Sequence, residues 1–205
     1  MDARIAVLAS GAGTNLQALL DDPAIGPSIV LVASDRPGAP ALDRARARGV
    51  RAVALDPGHY SSREDFDGAQ KTLLEDEAVE FILLAGYMRI LGPRVVAAFR
   101  DRILNVHPSL LPAFPGAHAV RDALEWGVKV TGATVHVVDE EVDHGPIVLQ
   151  EAVPVMPGDD EQALHARIQE VEHRLYPWAA RLLAEGRLKI EGRQVHFLDA
   201  AAAEP

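Results

Sequence analysis

Ile5-Ala6-Val7-Leu8-Ala9-Ser10-Gly11-Ala12-Gly13-Thr14-Asn15-Leu16-Gln17 joins an apolar run to a glycine turn and a helix-period segment. A short, unbroken apolar run reads as a buried strand. Two glycines then allow a tight turn, and a helix-period segment runs from Leu16 to Leu20. Strand, turn and helix in that order form the first half of a βαβ unit.

The same alternation of strand and helix repeats along the chain. Strand candidates are Arg4 to Ser10, Ile29 to Ala33, Val53 to Leu55, Phe81 to Ala85 and Ile103 to Val106. Helical stretches lie between them at Ala41 to Arg48, Arg63 to Glu75 and Pro93 to Phe99. Parallel strands need such crossovers, so the pattern predicts an α/β, Rossmann-like fold: a mostly parallel central sheet with helices on both faces. After Trp126 the rhythm changes. Val130 to Val138 and Ile147 to Val155 read as antiparallel strands joined by an acidic loop. A long helix from Glu161 to Glu185 follows, then a hairpin over Leu188 to Phe197 and a frayed tail from Asp199 to Pro205. With 205 residues, 48% of them hydrophobic, and no linker, residues 1–205 are expected to form a single domain.

Composition excludes several classes. No apolar stretch reaches the length of a membrane span, and the start of the chain runs straight into a strand, so a soluble, cytoplasmic protein is expected, with no membrane partner. The absence of cysteine excludes disulfides, thiolate metal sites and a cysteine nucleophile. A net charge of −10 argues against nucleic acid as a partner, because phosphate neutralisation needs a basic surface.

The turn Gly11-Ala12-Gly13-Thr14-Asn15 offers backbone N–H groups at a helix start, which suits a phosphate. It equally suits a plain strand-to-helix turn capped by Thr14 or Asn15. Leu16 stands where a dinucleotide fingerprint has its third glycine, and the Lys of a P-loop is missing. The chemistry is expected further on. Asn105-Val106-His107-Pro108-Ser109-Leu110-Leu111-Pro112 follows a strand-like run, and Asn105 and His107 share a face of an extended backbone. Val142-Asp143-His144-Gly145-Pro146 supplies a carboxylate. Amide and imidazolium are the donors that hold an oxyanion, and a carboxylate keeps the imidazole charged and oriented. Taken alone, Asp139, Glu140, Glu141 and Asp143 also read as a solvated turn, His107 as a loop histidine, Glu172 as an exposed helix residue and His136 as a strand-face histidine.

These motifs, with Leu84-Ala85-Gly86-Tyr87-Met88-Arg89-Ile90-Leu91, resemble in the same order those of the formyltransferases that use 10-formyltetrahydrofolate, from Arg4 to about Leu198. The resemblance implies transfer of a formyl group from 10-formyltetrahydrofolate, as co-substrate, to the amine of glycinamide ribonucleotide in purine biosynthesis, with no metal. It implies catalytic roles for Asn105, His107 and Asp143. Gly11, Ala12, Gly13, Thr14, Asn15 and Glu172 would bind the ribonucleotide. Arg63, Met88, Arg89, Ile90, Leu91, Val96, Asn105 and the segment Asp139, Glu140, Glu141, Val142, Asp143 would bind the folate. His118 is expected to start a helix or line the substrate side.

Three rival readings follow. A formyltetrahydrofolate deformylase is expected to carry a further domain ahead of Arg4. A formyltransferase acting on tRNA is expected to add a C-terminal domain and a basic surface. A catalytically silent ligand-binding α/β module would keep the Gly-rich turn without needing Asn105, His107 and Asp143. The oligomeric state is left open, a homodimer included.

Overall fold

Ile5–Leu8 is strand β1, and all four of its residues are buried. That lack of alternation is the mark of a strand covered on both faces. The structure, a computed structural model, describes residues 3–199. Chain contacts divide the protein into two compact units, Met1–Leu104 and Asn105–Pro205.

In the first unit, β1 leads into α1 (Thr14–Asp21), β2 (Ile29–Ser34), α2 (Pro40–Ala47), β3 (Arg51–Ala54), α3 (Arg63–Asp76), β4 (Phe81–Leu84), α4 (Pro93–Ala98) and the start of β5 (Ile103–His107). The order β3-β2-β1-β4 is parallel throughout, with Ala6 opposite Leu31 and Ile82, and Val32 opposite Ala52. Strand β3 begins at Arg51, two residues before the expected Val53, and its residues are exposed or half-buried. An edge strand buries little, so its apolar signal is weak.

The helix starts obey local chemistry. Ser62 accepts a hydrogen bond from the Asp65 N–H and caps α3, whereas Pro occupies the first turn of α2 and α4, where its missing N–H costs nothing. At α1 the expected Thr14 or Asn15 cap is corrected: Gly13 is the N-cap, at φ 74° and with no side-chain bond. A Cβ there would meet Ala41 Cβ at 2.9 Å, so the left-handed turn and the packing against α2 both demand glycine.

The second unit takes β5 onward through α5 (Ala119–Trp126), β6 (Val130–Val137), β7 (Ile147–Pro154), α6 (Glu161–Ala184), β8 (Leu188–Glu191) and β9 (Gln194–Phe197). Strands β6 and β7 are antiparallel, Ala133 opposite Glu151 and Val135 opposite Leu149. Helix α6 lies on this pair and buries Leu164, Ile168, Leu175, Tyr176, Ala179 and Leu183. The terminal hairpin pairs Ile190 with Val195. Asp199, read as the start of a frayed tail, accepts from Nε and Nη2 of Arg187 at 2.8 and 2.6 Å. The remainder of that tail, 200–205, lies outside the described residues. The α/β class, mostly parallel with antiparallel strands toward the C-terminus, stands as expected. Among the described residues no helix is long and apolar enough to cross a membrane.

Candidate active site

Strand β5 ends on His107, and its pleat sets Asn105 and His107 on one face. The segment after it is pinned by a buried hydroxyl. Thr134 Oγ1 on β6 donates to the Ser109 carbonyl at 2.7 Å and accepts from the Leu111 N–H at 3.1 Å. Gln150 Nε2 on β7 adds bonds to the Leu111 carbonyl and to Thr134 Oγ1. Leu110 needs Gly132: a Cβ at that position would stand 2.6 Å from Leu110 Cδ2 and 2.1 Å from the Glu151 carbonyl oxygen.

The loop between β6 and β7 delivers the carboxylate. It closes tightly because Gly145 lies against β6, where a Cβ would be 1.8 Å from the Val137 carbonyl oxygen. Asp143 takes the left-handed conformation, φ 52°, which is uncommon for a residue with a side chain and which Asp tolerates better than most. Its Oδ2 accepts from the Gly116 N–H at 2.7 Å and lies 3.3 Å from His107 Nδ1. Its Oδ1 accepts from Asn105 Nδ2 at 3.4 Å and stands 3.6 Å from His136 Nε2. One carboxylate thus gathers Asn105, His107 and a second histidine.

The ring nitrogens can be assigned from their partners. His107 Nε2 lies 2.8 Å from the Phe114 carbonyl, which only accepts, so Nε2 carries a proton. A proton on Nδ1 as well, facing Asp143, makes the imidazolium. Burial pushes the His107 pKa down, and Asp143 and the Phe114 carbonyl push back, leaving it below the ordinary histidine value. Burial pushes the Asp143 carboxyl up, but its histidine neighbours His136 and His107 and the Gly116 N–H outweigh it and hold the group below its usual range.

His136, read from sequence as a strand-face histidine, proves part of this cluster. Its Nδ1 is 3.0 Å from the Val137 carbonyl and so carries the proton in the neutral ring. Nε2 is then an acceptor, and Asn105 Nδ2 meets it at 3.1 Å. This contact orients the Asn105 amide. Period-two alternation along β6 puts His136 on a face with Thr134, which was the available signal; nothing in the local sequence pointed to Asn105, thirty-one residues away.

The acidic loop divides. Glu140, Glu141 and Val142 are exposed, while Asp139 Oδ2 is 2.7 Å from His144 Nδ1 and its Oδ1 accepts from the Glu141 N–H. His144 Nε2 in turn meets Arg193 Nη1 of the terminal hairpin at 3.1 Å. Glu172 is 3% exposed, so its reading as an ordinary surface residue of α6 is corrected: it is a carboxylate buried in mid-helix. His118 occupies the N-cap position of α5 without a side-chain cap bond.

In the first unit, Gly11 to Asn15 form the turn into α1, whose first turn carries no acidic residue. Arg44 of α2, unnoticed in the sequence, donates to the Ala12 carbonyl at 2.8 Å and to Gln17 Oε1 at 3.0 Å, placing a cation beside the turn. The segment after β4 exposes Met88 and Ile90 and buries Leu91, and Val96 of α4 is buried too. Arg63 Nη2 donates to the Ile90 carbonyl at 3.4 Å, and the Arg89 guanidinium lies 5.2 Å from the Phe66 ring centre. Gln70 Nε2 donates to the Tyr87 hydroxyl, whose pKa burial pushes up to about 12. Among the described residues no group of three or more His, Cys, Asp or Glu side chains is placed to hold a metal ion.

The family model for formyl transferases matches residues 3–180. Phosphoribosylglycinamide formyltransferase of Mycobacterium tuberculosis (strain CDC 1551 / Oshkosh) is 45% identical over 194 residues, covering 93% of this chain and 89% of that protein. The trifunctional purine biosynthetic protein adenosine-3 of Gallus gallus is 47% identical over 190 residues, 91% of this chain, but the match spans only 19% of that longer protein. Glycinamide ribonucleotide transformylase 1 from Symbiobacterium toebii, a crystal structure, superposes with a TM-score of 0.93 at 55% identity, covering 96% of this chain and 94% of its own.

Proposed function

Because the chain belongs to the formyl transferase family, we propose that it transfers the formyl group of 10-formyltetrahydrofolate to the amine of glycinamide ribonucleotide, and that residues 1–205 act as one catalytic domain in the cytoplasm. The observation that carries this reading is the Asp143 carboxylate with Asn105 Nδ2 at 3.4 Å and His107 Nδ1 at 3.3 Å. An amide and an imidazole grouped on a carboxylate suit acyl transfer through a tetrahedral oxyanion.

In the proposed reaction both ligands are bound at once. The neutral amine attacks the formyl carbon, a C–N bond forms, and the carbonyl electron pair moves onto oxygen. Asn105 donates an amide N–H to that oxygen, exchanging it from Asp143 or His136. Burial keeps His107 less charged in the free protein than an exposed histidine. The developing oxyanion adds a second negative charge to that of Asp143, and together they favour the imidazolium. The bond from the carbon to N10 of the folate then breaks, and N10 takes the proton that the amine gives up, through water ordered by Asp143.

Remote binding supplies orientation. Gly11 to Asn15 receive the ribonucleotide phosphate at the start of α1, where peptide N–H groups and the helix dipole favour an anion. The buried Glu172 receives the polar arm of the same substrate. Met88, Arg89, Ile90, Leu91 and Val96, with Arg63 and the loop Asp139 to Asp143, receive the folate. The test is to mix the protein with both substrates and follow tetrahydrofolate and formylated ribonucleotide. Equal formation of both, only when both substrates are present, supports the proposal. Formate released without the ribonucleotide indicates a deformylase, and binding without turnover indicates a silent module.

A further inference from the structure

The segment from Gly86 to Gly92 exposes Met88 and Ile90 yet is contacted by two other parts of the chain. From one side come residues of α3: Phe66 under Arg89, Gln70 on the Tyr87 hydroxyl, and the buried Asp67, whose Oδ2 accepts from the Arg94 N–H at 3.1 Å. Asp67 occupies the space of the missing Gly92 side chain, for a Cβ there would meet the carboxylate carbon at 2.0 Å. From the other side comes Ser10, at the end of the run that forms β1 and 2% exposed.

Ser10 grips the segment twice. Its backbone N–H donates to the Gly86 carbonyl at 3.0 Å, and its Oγ accepts from the Met88 N–H at 2.9 Å. The hydroxyl proton goes to Asp35 Oδ1 at 2.5 Å, and Asp35 is itself buried just past β2. A hydroxyl whose proton is committed to a carboxylate is a polarised acceptor, and its rotor is fixed. The serine therefore sets where the Met88 amide points, and with it the path of the exposed residues on either side.

We infer that Ser10, oriented by Asp35, is a positioning residue for the folate-binding segment, although it adjoins the turn assigned to the ribonucleotide phosphate. The inference rests on the proposed folate role of Met88 to Leu91. Removing the hydroxyl leaves the Met88 N–H without its acceptor and Asp35 without its donor, while the backbone bond to Gly86 and the glycine turn stay intact. The segment then loses its preset shape, and the affinity it lends to a ligand falls by roughly tenfold, the usual consequence of one lost hydrogen bond next to a charged group.

The test uses tetrahydrofolate, the unreactive product, and glycinamide ribonucleotide as separate calorimetric probes of the full chain. Ser10→Ala is expected to weaken tetrahydrofolate binding roughly tenfold and ribonucleotide binding less than twofold. Asp35→Asn keeps an oxygen that can accept the Ser10 hydroxyl and is expected to lose roughly threefold, for tetrahydrofolate alone. If Ser10→Ala fails to fold, Asp35→Asn decides. Unchanged tetrahydrofolate affinity, or an equal loss for both ligands with a lowered Tm, overturns the positioning role and leaves the transferase reading intact. Wild-type protein that binds no tetrahydrofolate overturns both.

Discussion

Replacing Asp143 with Asn removes a negative charge 3.3 Å from His107 Nδ1 and nearly preserves shape. At an effective dielectric of about 20, a unit pair at that distance is worth at most about 5 kcal/mol. Shifts of roughly 1 to 3 pKa units are the usual result of such a pairing, or about 1.4 to 4 kcal/mol. Burial already holds the His107 pKa down, and Asp143 is the largest opposing influence. Without it the pKa drops further, so the imidazolium at neutral pH becomes roughly 10- to 1,000-fold rarer. Under the proposed mechanism kcat falls by a similar factor while the KM values stay within about threefold, because the charge acts on the transition state and not on the ground state. The loss is greatest at high pH and shrinks as pH falls and protonation recovers. The assay is kcat against pH for both proteins, with the His107 ring nitrogens titrated by 15N NMR. A variant that keeps kcat within twofold at pH 7 and leaves the His107 titration unmoved excludes Asp143 as the charge partner that activates His107.

Other perturbations test separate parts of the structure. His136→Ala removes the acceptor that orients Asn105 and is expected to lower kcat roughly tenfold with little change in KM, read by steady-state kinetics; a rise in KM alone would place His136 in binding. Gly145→Ala forces a Cβ to within 1.8 Å of the Val137 carbonyl oxygen and is expected to cost about 1 to 3 kcal/mol, measured by urea unfolding. The Asp159 carboxyl is held at about 2 by its hydrogen bonds from Arg167 and the Met156 N–H. A depressed carboxylate pKa adds stability above the unfolded value near 4 and loses it as pH falls toward 2. Asp159→Asn should therefore flatten the pH dependence of Tm between those limits, and an unchanged slope would remove the pair from the acid response.

Much of the architecture was legible because it is local. Apolar runs such as Ile5–Leu8 and Phe81–Leu84 have one stable use, buried strands, and the helical stretches between them force parallel pairing. Edge strand β3 was blurred because half-exposed residues carry little hydrophobic pattern. Thr14 and Asn15 are good caps by type, so the capped-turn alternative pointed past the actual N-cap of α1, where close approach to Ala41 requires Gly13.

For the site, the order of residues shows which chemical groups are available: an amide, an imidazole and a carboxylate in succession, a glycine turn at a helix start, and no thiol. Which of them meet follows from how the strands and helices pack. His136 joins Asn105 and Asp143 because β6 returns beside them, Glu172 is buried because α6 lies on β6 and β7, and Ser10 reaches Met88 across seventy-eight residues because β1 and β4 are neighbours. Residue type and short-range periodicity are properties of a few adjacent residues, whereas a hydrogen bond between distant ones exists only once the sheet has set its register.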